Sequence, residues 1–173
     1  RAMMQVLKIY QKMIKKDNLS RDGIIHCQIM DENIQNIFAV LNIIAYVQPI
    51  FIHYDHKIVE KRVGKKLMET SYAFKTLAEK GIKLAFGTDS PIENLNPFAN
   101  LYCAVTRRDL DGNPLHGWNP QEKINLYDAI SFYTINSSYA SFDEDKKGIL
   151  KPGYLADLIV VNDDILSLPL ECL

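Results

Sequence analysis

Three short apolar runs limit what this chain can fold into more than any other feature. They are residues 23–29 (GIIHCQI), 43–49 (IIAYVQP) and 82–86 (IKLAF). Each is rich in β-branched or aromatic residues and too short for a helix, so each reads as a buried strand. The stretches between them carry helical signals. In residues 2–16, Val6, Ile9, Tyr10, Met13 and Ile14 recur at three- and four-residue steps. Asp31 can N-cap a helix over 32–41, Gly81 stops one over 69–80, and Pro97 opens one over 97–107. A further helix is predicted over 125–138. Short apolar strands alternating with helices are the signature of parallel βα units, hence an α/β fold. Residues 49–64 read as irregular and polar, and 108–120 as a loop with Asp-Gly and Asn-Pro breakers. Residues 148–161 (GILKPGYLADLIVV) read as two short strands around a Lys-Pro-Gly-Tyr turn.

In such folds chemistry gathers where the strands end. The polar residues there are His26 and Gln28 on the first run, Gln48 on the second, and Thr88 with Asp89 after the third. Imidazole and carboxylate both suit a divalent metal such as zinc, and Asp89 could also take a proton from a water that the metal activates. On pattern alone, a lone strand histidine such as His26 is more often a hydrogen-bonded core residue, and Asp89 before Ser-Pro also reads as a turn or cap residue. His53 and His56 (IHYDH) lie three apart in an irregular segment, which sets no metal geometry. His116 (HGW) sits in a long loop, where a surface role is the default. No GxGxxG, P-loop or GxSxG motif occurs, and neither Cys27 nor Cys103 has the partners of a thiol nucleophile.

Composition narrows the partners. A formal net charge of -1 disfavours nucleic acid and anionic membranes, and the Lys-rich stretch 8–16 reads as a solvated helix face. Three widely spaced cysteines, Cys27, Cys103 and Cys172, make neither a disulfide framework nor a zinc knuckle, which fits a reducing, cytoplasmic setting. No apolar run reaches a membrane span, no leader peptide is visible, and the chain opens on Arg1 as a piece of something longer would.

The segments RDGIIHCQI, AYVQPIF, LAFGTDSPIENLNPFANLYCAVTRR and GWNPQEKINLYDAISFYTINSSYASFDEDKKGILKPGYLADLIVV follow one another in this order. Together they resemble the C-terminal part of amidohydrolase family 3. These are metal-dependent hydrolases that include N-substituted formamide deformylase-like and exoenzyme regulatory protein-like members. The resemblance implies a (β/α)₈ barrel joined to a composite β-sandwich. Residues 1–145 would be its C-terminal part, roughly strands six to eight with their helices, and residues 146–173 would return to the sandwich. It further implies a divalent metal, zinc by preference, and water-driven hydrolysis of carbon–nitrogen bonds other than peptide bonds in a small amide-type substrate. His26 matches the strand-six metal ligand, and Asp89 matches the strand-eight metal ligand and proton carrier.

The departures from the pattern bear on function. The His-x-His pair and the lysine ligand of the family have no counterpart, and the chain opens just after the place of the strand-five histidine. Ile25 stands where relatives have Glu, and Phe51 where many have His. With three barrel strands in ~250-residue architecture, the chain is expected to be inactive alone, with weak or no metal binding. Its exposed sheet edge would be covered by the missing N-terminal part, by a second copy, or by a rearranged helix. The alternative is a non-catalytic regulatory or interaction domain that retains the scaffold; a free-standing sugar or amide binding module is a third reading. Arg107, Arg108, Trp118 and Asn119 occupy loops after the third run and are candidates for a pocket wall or for structural roles.

Overall fold

In a computed structural model, which describes residues 2–13, 18–170 and 173, the three runs form one small parallel sheet. Its strands β1 (Gly23–Ile25), β2 (Ile44–Val47) and β3 (Leu84–Phe86) lie in chain order. Ile24 pairs with Ala45, and Ala45 with Leu84. The strands are shorter than the apolar runs. His26 and Cys27 take left-handed backbone angles, φ 73° and 48°, and the Cys27 amide turns back onto the Ile25 carbonyl at 3.1 Å, so β1 ends there.

Helices pack against the sheet. They are α1 (Ala2–Met13), α2 (Glu32–Leu41), α6 (Phe74–Glu79), α7 (Pro97–Thr106) and α8 (Leu126–Tyr133). The predicted caps form. Asp31 accepts from the Ile34 amide at 2.8 Å, and the Gly81 amide bonds the Ala78 carbonyl at 2.9 Å with φ 78°. Leu7, Phe38, Phe74, Leu77, Leu101 and Ala129 bury themselves against Ala45, Val47, Leu84 and Phe86. Complete burial of a side chain such as Phe38 contributes about 1.5–3 kcal/mol. The end of the helix predicted over 2–16 lies outside the described residues.

Four expectations differ from the structure. Residues 49–68 are helical in pieces: a 3₁₀ turn (Pro49–Phe51), α3 (Ile52–Asp55), α4 (Val59–Val63) and α5 (Lys65–Met68). The helix expected from residue 69 starts at Phe74, because Ser71 makes an antiparallel bridge to Ile29. The helix over 125–138 breaks at Thr134, where ψ is -79°, and restarts as α9 (Ile135–Ala140). Residues 148–161 form no strand. A strand needs a ladder partner, and this run instead lies beside α7 and α8, bounding a groove of about 770 Å³ with Phe98, Leu101 and Tyr133. It leaves Leu150 82% and Val160 89% exposed. Its approach is tied down by Arg21, which pairs with Glu144 and stacks 3.9 Å from the Tyr139 ring centre.

The sheet's two edges are unlike. In a parallel ladder alternate residues face each neighbour. Ala45 bonds Lys83 O and Gly87 bonds Val47 O, so Leu84 and Phe86 turn their backbones outward. Asn136 of α9 donates to the Leu84 carbonyl at 3.0 Å. The Ser137 hydroxyl is 3.5 Å from the Phe86 carbonyl but has a closer acceptor, Phe132 O, at 2.9 Å. At β1, Gly23 and Ile25 face outward with no ladder partner among the described residues, and Ile25 is 61% exposed. Asn136→Ala is expected to lower stability by about 1 kcal/mol by orphaning the Leu84 carbonyl, read as a lower urea midpoint with the slope unchanged.

Candidate functional site

His26 and Asp89 stand at the carboxyl end of the same parallel sheet, on the two strands that flank β2. The ladder reaches His26, whose amide bonds Tyr46 O at 2.7 Å, and Gly87, two residues before Asp89, whose amide bonds Val47 O at 3.2 Å. The β1 and β3 backbones are thus about 10 Å apart, two strand spacings. Gln48 lies between them at the end of β2.

Both candidate ligands sit on left-handed backbone, His26 at φ 73° and Asp89 at φ 59°. Asp and His tolerate this region better than most residues. The bend lifts each side chain off the regular pleat at the strand's end. The Asp89 carbonyl accepts from the Ile92 amide at 2.8 Å, closing the turn after β3.

Their chemistry is uncommitted where a metal would need it. His26 Nδ1 lies 2.9 Å from Gln48 Oε1, which leaves Nε2 outward on an exposed ring, 6.0 Å from the Phe51 ring. The half-buried Asp89 carboxylate makes no hydrogen bond or ion pair among the described residues. In kind, an imidazole nitrogen and a carboxylate oxygen fit a divalent cation. In number they fall short: no group of three His, Cys, Asp or Glu converges among the described residues.

The other histidines have different work. His53 Nδ1 accepts from the Leu110 amide at 3.1 Å, and its ring meets Tyr54 edge-on at 4.5 Å. His56 bonds Ile52 O at 2.8 Å through Nδ1 and holds Nε2 3.6 Å from Asp109. Asp109 also pairs with Lys57 at 3.1 Å and accepts from the Asp111 and Asn113 amides. The two histidines therefore pin the loop after α7 onto α3 and do not converge on one point. His116 is exposed in that loop. Burial pushes the Cys27 and Cys103 thiols up to about 12, so neither is a thiolate at neutral pH. Cys172 lies outside the described residues.

Arg107 is wholly buried and structural. Its Nε donates to Trp118 O at 3.0 Å and its Nη1 to Tyr72 O at 2.8 Å. Asn119 donates to Met68 O at 2.9 Å. The sequence marked Gln48 as a rim residue without a role. Its pairing with His26 spans 22 residues and has no local signal beyond Gln-Pro at a strand end.

The model of a family described as "Amidohydrolase family" matches residues 1–171. YtcJ of Bacillus subtilis (strain 168) is 34% identical over 163 residues, 94% of this chain and 31% of that protein. N-substituted formamide deformylase of Arthrobacter pascens is 27% identical over 101 residues, 58% of this chain and 17% of that protein. The crystal structure of an uncharacterized metal-dependent hydrolase from Pyrococcus horikoshii OT3 superposes with a TM-score of 0.80 at 27% identity, covering 94% of this chain and 32% of that one. The chain thus spans less than a third of the length of the curated relatives it matches. No helix among the described residues is long and apolar enough to cross a membrane.

Proposed function

The chain belongs to the amidohydrolase family, and on that premise we propose that it forms one part of a metal-dependent hydrolase of carbon–nitrogen bonds other than peptide bonds. In this reading β1 to β3 are strands six to eight of a (β/α)₈ barrel, residues 146–173 belong to a second, sandwich-like unit, and the substrate is a small amide. The observation that carries it is the pair of uncommitted donors at one end of one parallel sheet: His26 Nε2 and the Asp89 carboxylate. A divalent ion held there, zinc by the ligand types, would supply Lewis acidity to a carbonyl and acidity to a water. Asp89 would take the proton of the attacking water on a carboxylate oxygen and hand it to the leaving nitrogen. His26 would hold the ion through Nε2. Two donors leave a zinc shell half filled, so the remaining ligands must come from outside the described residues, and the chain alone is inactive.

The second reading is a non-catalytic regulatory or interaction domain on the same scaffold. It rests on Ile25, which stands where the resemblance implies a glutamate, and on finding no third ligand beside His26 and Asp89 among the described residues. The two separate in one assay. A panel of N-formyl and N-acyl amines is offered to the longer polypeptide, to its chelated form, and to the chelated form with zinc restored. Metal-dependent hydrolysis is expected, abolished by chelation and recovered on add-back. No hydrolysis in any metal state replaces the first reading with the second.

A further inference from the structure

We infer that Gln48 is a positioning residue: its carboxamide oxygen fixes the His26 ring proton on Nδ1 and so reserves Nε2 for a ligand. The inference uses the proposed function only to say what that ligand is; the placement of the proton stands on the hydrogen bond itself. Which imidazole nitrogen is free is set by the bond the other nitrogen makes. His26 Nδ1 and Gln48 Oε1 are 2.9 Å apart, and an amide oxygen can only accept. Nδ1 must therefore carry the proton.

The surroundings hold both partners still. The His26 backbone is locked to β2 through Tyr46 O at 2.7 Å, which sets the ring beside the end of that strand. Gln48 is buried, and its own carbonyl accepts from the Phe51 amide at 3.2 Å, closing the turn over Pro49. The carboxamide of the buried Asn100 accepts from the Ile50 amide at 2.8 Å and anchors that turn to α7. The Phe51 ring lies 6.0 Å from the imidazole, tilted 41° to it. A turned carboxamide would reverse the outcome. Its NH₂ would donate to Nδ1, the ring proton would move to Nε2, and the ring could no longer ligate through that atom.

The test is ring tautomer, read by long-range ¹H–¹⁵N correlation on histidine-labelled protein at about pH 8, where imidazoles in solution are neutral. The four histidines are assigned by comparison with His26→Asn. The wild-type His26 ring is expected as the Nδ1–H form. Gln48→Met, similar in shape but without the amide acceptor, should shift most of it to Nε2–H, and Gln48→Glu should restore Nδ1–H. In the longer polypeptide, Gln48→Met should also weaken metal binding by about 10–100-fold, with Gln48→Glu retaining it. A wild-type proton on Nε2 overturns the inference, as does a Met variant whose tautomer is unchanged. Should the Met variant fail to fold, the wild-type spectrum alone decides. A hydrolase that turns over while His26 carries its proton on Nε2 would sink this inference and spare the proposed function; Nδ1–H in a protein that hydrolyses nothing would do the reverse.

Discussion

Arg107→Met is expected to cost about 3–5 kcal/mol of folding stability, the range found when one partner of a buried charged network is removed. That is a large share of the ~5–15 kcal/mol that holds a domain together. The guanidinium is fully enclosed, with its centre 5.2 Å from the Trp118 ring and 5.3 Å from the Phe74 ring. Burial lowers its pKa to about 10, against the pull of Glu122, so it remains charged at neutral pH. Methionine can replace the stem but not the donors. The Tyr72 and Trp118 carbonyls would then be buried without partners, and Glu122, itself buried on the Thr76 amide at 3.0 Å, would lose its countercharge. The backbone is not part of the cost: Arg107 caps α7 at φ 61° and its carbonyl receives the Trp118 amide at 2.7 Å, and methionine keeps both. Trp118 is the single tryptophan, so its fluorescence reports this junction during urea unfolding. A midpoint within experimental error of wild type would show that Arg107 is not what joins α7 to the loop.

On the proposed function, Asp89→Asn should leave the fold intact and lower turnover of a polypeptide that supplies the remaining ligands by about 10²–10⁴-fold, the range for losing a proton-transferring group. Asparagine is the informative replacement. It accepts the left-handed backbone at φ 59° as readily as aspartate, whereas alanine would add strain there. The carboxylate is half-buried and makes no bond within the described residues, so the stability change should stay within about 0.5 kcal/mol. The measurement pairs kcat with the urea midpoint. Unchanged turnover removes Asp89 from the chemistry; a collapsed midpoint would mean its role is to hold the turn after β3.

What the sequence could foretell divides along a physical line. Local signals were legible. β-branched runs placed β1, β2 and β3, and Asp31, Gly81 and Pro97 marked helix ends that exist, since caps and turns act over three or four residues. The end of β1 was not, because two consecutive left-handed residues, His26 and Cys27, are neither glycine nor asparagine. The turns of α3, α4 and α5 are only four or five residues long, too short to show a helical period. The run over 148–161 has strand composition, but a strand is made by its neighbour and none stands beside it. At the rim, strand-end logic put His26 and Asp89 at the sheet's carboxyl end, where they lie, but not the contact of His26 with Gln48, which belongs to another strand. Arg107 looked like a loop cation; only the packing of Phe74 and Trp118 around it makes it an interior residue.

The carboxamide of Asn136 on the Leu84 carbonyl gives the sheet a polarity of growth. A segment arriving at β3 must evict that side chain, surrendering the bond on the Leu84 carbonyl before it can pair there. A segment arriving at β1 meets no other element among the described residues, only the local bond from the Cys27 amide to the Ile25 carbonyl at 3.1 Å. Enlargement should therefore begin at β1, and addition at β3 becomes an exchange reaction in which α9 must first swing clear.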